Sequence, residues 1–175
     1  MRQDVGENRT ASDLCVKCGL CCNGALFDFG PLSDDEKDRV RDAGLTIIEK
    51  EGKTAFGLPC PCLKGAFCTV YEDRPQTCRT FRCSTLKALE AEMITYSEAE
   101  ARIEQGVKAL ADLQAQLPAN ATPADARRWR REAGRAEAAK TLSASPMVMM
   151  ALGLLDVVLD QYFRGTDQRQ VMLRE

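Results

Sequence analysis

Nine cysteines, all between positions 15 and 83 of a 175-residue chain, constrain this protein more than any other feature of its sequence. Cys15-Val16-Lys17-Cys18-Gly19-Leu20-Cys21-Cys22 sets three thiols at two-residue spacing and a fourth directly after them. Cys60 and Cys62 follow within Pro59-Cys60-Pro61-Cys62-Leu63, then Cys68, Cys78 and Cys83. Chance does not gather unrelated buried cysteines this way. A CxxC pair turns the backbone so that two sulfurs converge, and four thiolates build a tetrahedral zinc site or the corners of an iron–sulfur cluster.

The competing arrangement is a disulfide framework, which belongs to secreted chains. Met1 to Thr10 carries Arg2, Asp4, Glu7 and Arg9 without an apolar run, so no signal peptide is expected. The vicinal pair Cys21-Cys22 suits disulfide geometry poorly, and an odd number of thiols leaves one over. Spacing and compartment therefore favour a metal over disulfides, in a reducing cytoplasm.

The metal is less constrained. The chain has no histidine, so a soft-ligand site has to be all-thiolate unless carboxylates contribute. Such sites suit zinc, iron–sulfur clusters or copper(I). The run C-x2-C-x2-C lies closer to the ferredoxin pattern than to two separated zinc knuckles, although the fourth ferredoxin position is replaced by the adjacent Cys22. Eight thiols divide into two four-ligand sites, or into one cluster and one zinc. Iron–sulfur is slightly favoured.

The stretch Cys68-Thr-Val-Tyr71-Glu72-Asp73-Arg74-Pro75-Gln76-Thr77-Cys78-Arg79-Thr80-Phe81-Arg82-Cys83, with the CxxCxxCC opening and the Cys-Pro-x-Leu at 60–63, resembles the YkgJ-type cysteine-cluster family. That family is described as zinc- or iron-chelating, and flagellin lysine N-methylases carry a similar module. The resemblance covers about residues 13 to 85. It implies metal ligation by Cys15, Cys18, Cys21, Cys22, Cys60, Cys68, Cys78 and Cys83. Cys62 stands where the family has another residue, so it is either a spare thiol or a substitute for Cys60.

Pro75 fixes φ and pushes Arg74 towards extended backbone, which makes a corner after a strand expected over Phe67–Tyr71. Arg74, Arg79 and Arg82 lie beside the thiols in sequence, where they can offset the negative charge of a thiolate site, or in the case of Arg82 equally well face solvent. Tyr71 reads as a core aromatic.

The expected fold is mostly α with a small irregular α+β part. A metal-stapled cysteine module at 13–85 is followed by antiparallel helices at 86–165 packed on it as one unit, with flexible tails at 1–12 and 166–175. Ala25–Phe29 reads as extended. Ser33 and Glu36 make a capping box for a helix closed by Gly44. Thr46–Glu49 and Lys53–Phe56 read as a hairpin, which alone is marginal in water, so metal ligation has to help fix this half.

Beyond the cysteines, spacings of three and four through Leu86, Leu89, Met93 and Tyr96, then Ile103, Val107, Leu110, Leu113 and Leu117, predict helices over about 84–94 and 98–117, the second opened by Ser97 and Glu100. Thr122 and Pro123 open a third helix to about Leu142, and Ser145-Pro146 a last one through Phe163, ended by Gly165.

Two features of the helical half invite a functional reading. Arg127-Arg128-Trp129-Arg130-Arg131, with Arg135 and Lys140, is basic enough to touch phosphates. Glu132 and Glu137 dilute it, Arg128 and Glu132 pair along the helix, Trp129 suits a core, and the net charge is only −2, so nucleic acid is not the expected partner. Met147, Met149 and Met150 offer soft ligands or a partner groove, but fit better a buried helix packed on the 98–117 helix. Asp156 and Asp160, on one face, read as a solvent-facing stripe.

No apolar run reaches the roughly 20 residues that span a bilayer. The leading functional expectation is an all-cysteine metal protein with a redox or metal-handling role. The first alternative is a structural zinc module whose helices present a surface to a partner protein. The second is an enzyme related to the flagellin methylases. It lacks a glycine-rich loop after a strand and a histidine base, although thiolates, lysines or carboxylates remain as bases, and no catalytic residue is assigned.

Overall fold

The computed structural model describes residues 10–50, 52–133 and 145–171. Helix α1 (Ala11–Cys18) starts inside what the sequence reads as a polar tail. The reason is local: the N–H and hydroxyl of Thr10 both donate to the Asp13 carboxylate, at 2.6 and 2.9 Å, and anchor the first turn. Gly19 ends the helix at φ 63° and donates to the Cys15 carbonyl, a left-handed conformation that a side chain disfavours.

Past the cysteine turn, backbone pairing begins only at Phe29, later than the extended Ala25–Phe29 expected. β1 (Phe29–Pro31), β2 (Ile47–Lys50) and β3 (Lys53–Gly57) form an antiparallel sheet in the order β1-β3-β2. The hairpin is thus backed by a third strand, with Gly30 opposite Phe56 and Ile48 opposite Ala55. Between β1 and β2, Ser33 donates to Glu36 at 2.8 Å and a 3-10 turn runs into α2 (Lys37–Asp42), which closes before Gly44. A second ladder, β4 (Leu63–Lys64) with β5 (Phe67–Cys68), was not expected, and it shortens the strand anticipated over Phe67–Tyr71 to two residues. α3 (Gln76–Thr80) follows.

The helical half contains α4 (Ser84–Glu90), α5 (Tyr96–Gln114), α6 (Pro123–Ala133) and α7 (Pro146–Tyr162). The cap of α5 is Thr95 with Glu98 rather than Ser97 with Glu100. Thr122 with Asp125 caps α6, and Ser145 accepts from the Val148 N–H to start α7, as the sequence indicates. The extension of α6 towards Leu142, with Arg135, Glu137 and Lys140, falls outside the described residues.

α5 and α7 pack along each other, α1 lies on α5, and α6 on α7. Leu14, Leu20, Leu113, Leu152, Leu155, Leu159 and Phe163 are at most 1% exposed in this core. Each buried side chain of this size contributes about 1.5–3 kcal/mol. A Cβ on Gly106 would stand 2.7 Å from Leu20 Cδ1 and 2.9 Å from Phe163 Cε2, so only glycine lets α5 approach the cysteine turn this closely. Trp129 and Met149 pack against the core, whereas Met147 and Met150 face out.

Asp156 and Asp160 do not face solvent. Both are fully buried, and the Arg164 guanidinium bridges them at 2.9 and 2.7 Å, with Arg130 at 2.7 Å from Asp156. Buried carboxylates require such partners, and α6 and the chain after α7 bring them. The second Asp160 oxygen accepts from the backbone N–H groups of Gln170 and Val171, so the stretch expected as a flexible tail from Thr166 is tied down as far as Val171.

Candidate metal centre

The cysteines arrive from six local structures. Cys15 and Cys18 sit one turn apart on α1, and Cys21 and Cys22 on the turn made when the Cys22 and Asn23 N–H groups donate to the Gly19 carbonyl. Cys60 donates its N–H to the Cys22 carbonyl at 2.7 Å, which ties the second cysteine stretch to the first. Cys68 ends β5, Cys78 lies on α3, and Cys83 precedes α4.

Eight thiols, those of Cys15, Cys18, Cys21, Cys22, Cys60, Cys68, Cys78 and Cys83, line one cavity of about 400 Å³. Cys62 does not. Its sulfur turns away to lie 3.3 Å from the Ala43 carbonyl, and the residue is buried in a small apolar cluster with Val40, Leu45 and Phe56. All nine thiols are free. Among the described residues, no three thiols or carboxylates stand close enough to hold an ion as their side chains are placed. A zinc tetrahedron with its usual Zn–S length needs sulfurs about 3.8 Å apart. The eight thiols therefore line a space instead of meeting at a point, and this all-sulfur donor set is of the kind that zinc or iron takes once the side chains close on it.

Burial raises the thiol pKa values, because an ionised sulfur is poorly solvated there. Cys18 and Cys78 are pushed up to about 12, and Cys22 and Cys60 to about 11, with neighbouring thiols adding to the effect. Cys15, Cys21 and Cys83 rise in the same direction and for the same first reason. At neutral pH the metal-free thiols hold their protons, and metal uptake has to expel them.

Arginine opposes that cost. Arg74 lowers Cys15, Cys22 and Cys78 electrostatically, and Arg82 lowers Cys15. The Arg74 guanidinium lies 3.7 Å over the Tyr71 ring, so Tyr71 is a half-buried platform rather than a core aromatic. Arg74 Nε is buried and has no hydrogen-bond partner, although the residue lines the cavity. Arg82 is about half exposed and pairs with Glu90, while Arg79 donates to the Arg74 and Glu72 carbonyls and holds the loop.

Two residues support the site in roles that the sequence reading did not give them. Glu36, buried, accepts from the Gln76 N–H at 2.7 Å and from Arg39, so it caps the short helix that carries Cys78. Arg127, read from the sequence as part of a basic strip, is buried instead. It donates to the carbonyls of Gly24 and Ala25 and pairs with Asp28, and so clasps the loop after Cys22. For Glu36 the sequence offered the capping box with Ser33, and for Asp28 only its place shortly after Cys22.

Comparison with known proteins bears on this site. The family model CxxCxxCC, "Putative zinc- or iron-chelating domain", matches residues 14–103. No curated protein and no solved structure matches the chain.

Proposed function

Since this chain belongs to the CxxCxxCC family of zinc- or iron-chelating domains, we propose that it is a metal-binding protein whose eight cavity-lining cysteines hold an iron–sulfur group, in a redox or metal-handling role within a reducing cytoplasm. The observation that carries this reading is the cavity: eight of nine thiols line it and the ninth is turned away. Arg74 and Arg82 on the cavity wall supply positive charge against a thiolate-rich centre. A bound iron–sulfur group would accept and return single electrons; the chain's own residues bind it, screen it from water and balance its charge.

The second reading is a structural zinc module that presents a helical surface to another protein. It is favoured by Met147, Met150, Leu154 and Val157, which are 44–62% exposed along one side of α7. Anaerobic purification followed by an absorption spectrum and elemental analysis of one sample separates the two. Iron with acid-labile sulfide, and a visible band that dithionite bleaches, is the expected result. Colourless protein with zinc alone overturns the iron–sulfur assignment in favour of the structural module.

A further inference from the structure

Cys21 and Cys22 are adjacent in sequence, yet their surroundings differ. Cys18, Cys21 and Cys83 pack against the large core of the helical half. Cys60 and Cys78 pack against the small cluster built on Val40, Leu45 and Phe56. Cys22 is joined to this second group through its carbonyl, which accepts the Cys60 N–H at 2.7 Å. Cys68 reaches the same group through the β4–β5 ladder, where it pairs with Leu63, and Leu63 donates to the Cys60 carbonyl. Cys15 stands one turn before Cys18 on α1, on the side of Cys83.

The electrostatic neighbours follow the same partition. Cys15 is influenced by Cys83, and Cys21 by Cys18, Cys83 and Cys15. Cys78 is influenced by Cys22, Cys60 and Cys68, and Cys60 by its near neighbour Cys62 and then by Cys22 and Cys68. Cys22 is the contact between the groups: it is influenced by Cys68 of one set and Cys15 of the other, and is felt also by Cys18 and Cys21. Arg74 acts on Cys15 on one side and on Cys22 and Cys78 on the other, so it stands between them.

We infer that the cavity holds two metal centres side by side, one on Cys15, Cys18, Cys21 and Cys83 and the other on Cys22, Cys60, Cys68 and Cys78, with the peptide bond between Cys21 and Cys22 joining them. This rests on the metal-binding reading above. Cys21 packs against the large core while Cys22 is tied to the Cys60 stretch, so the vicinal pair is placed to serve one centre each. Each set is four thiols, the complement of a zinc site or of a cubane cluster.

The test compares full-length protein, anaerobically loaded with iron and sulfide, with the variants Cys21→Ser, Cys22→Ser, Cys83→Ser and Cys68→Ser, reading metal per chain and the electron paramagnetic resonance spectrum of the reduced protein. Each variant is expected to lose about half of the metal. Cys21→Ser should leave the same residual spectrum as Cys83→Ser, and Cys22→Ser the same as Cys68→Ser, with the two spectra different. Identical residual spectra and equal full loss in folded Cys21→Ser and Cys22→Ser would overturn the division and indicate one shared centre. A wild-type chain that takes up neither iron nor, in a parallel loading, zinc would overturn the metal-binding reading itself, a distinguishable outcome.

Where a variant fails to fold, the wild type answers alone. Partial chelation, alkylation with iodoacetamide and peptide mapping should label the thiols of one set before those of the other. First-step labelling spread evenly over both sets sinks the proposal.

Discussion

The two apolar clusters differ in size and in what they hold. The larger buries sixteen described side chains and includes Leu14, Leu20, Ala25 and Leu26 around the first cysteine run. The smaller buries four, one of them Cys62, under the sheet and the second run. Fixing each residue's backbone costs about 1–2 kcal/mol, and four side chains cannot offset that over a segment as long as 29–80. The first cysteine run is thus held largely by packing, whereas the second has a smaller cluster of its own and stands to gain more from a bound metal.

Removing metal under reducing conditions should expose this contrast most strongly. Structural four-thiolate sites carry on the order of 10 kcal/mol of binding free energy, which is folding free energy for the segment they fix. Hydrogen exchange on chelated protein should show amides of β2 and β3 losing protection while those of α5 and α7 keep theirs. Uniform loss throughout would erase the distinction.

The metal-free chain should also weaken in alkali. Below pH 9 folded and unfolded thiols are both protonated and contribute no difference. Above it the unfolded thiols ionise first, whereas Cys22 and Cys60 wait until about 11 and Cys18 and Cys78 until about 12. Stability should therefore fall between pH 9 and 12, measured by urea denaturation, and metal should abolish that slope.

Within the helical half the expected effects are smaller. Leu155→Ala, at a fully buried position, should cost about 2–5 kcal/mol in thermal or urea unfolding and leave metal content unchanged. Arg127→Ala should cost about 1.5–3 kcal/mol, because hydrogen bonds from a charged donor to Gly24, Ala25 and Asp28 are lost. It should also quicken metal release to a chelator, which Leu155→Ala should not. Least of all, Cys62→Ser should shift stability by about 1 kcal/mol and retain full metal, since its sulfur faces Ala43 and not the cavity. Metal loss from Cys62→Ser equal to that from Cys18→Ser would reassign the ligands.

Much of this organisation was legible beforehand. Spacing and motif marked the eight thiols, and capping residues marked the starts of α6 and α7. The unreadable parts share a cause. Residues four apart on a helix share a face, but periodicity does not say which face is inside when the helix is apolar all round. On α7, the acids Asp156 and Asp160 went in, paired with Arg130 and Arg164, and Met150 and Leu154 went out. The two overlapping capping patterns at Thr95–Glu98 and Ser97–Glu100 were equivalent as text, and the one that formed is Thr95–Glu98. The partner of Arg127 lay about a hundred residues upstream, beyond the reach of any local pattern.

That separation has a consequence in time. Arg127 meets the carbonyls of Ala25 and Gly24 across 102 and 103 residues. At about 5–20 residues per second of synthesis, the first cysteine run leaves the ribosome some 5–20 s before its clasp is made. During that interval the first cysteine run is without the contact that holds the loop after Cys22, so the finished geometry of that loop belongs to the completed α6.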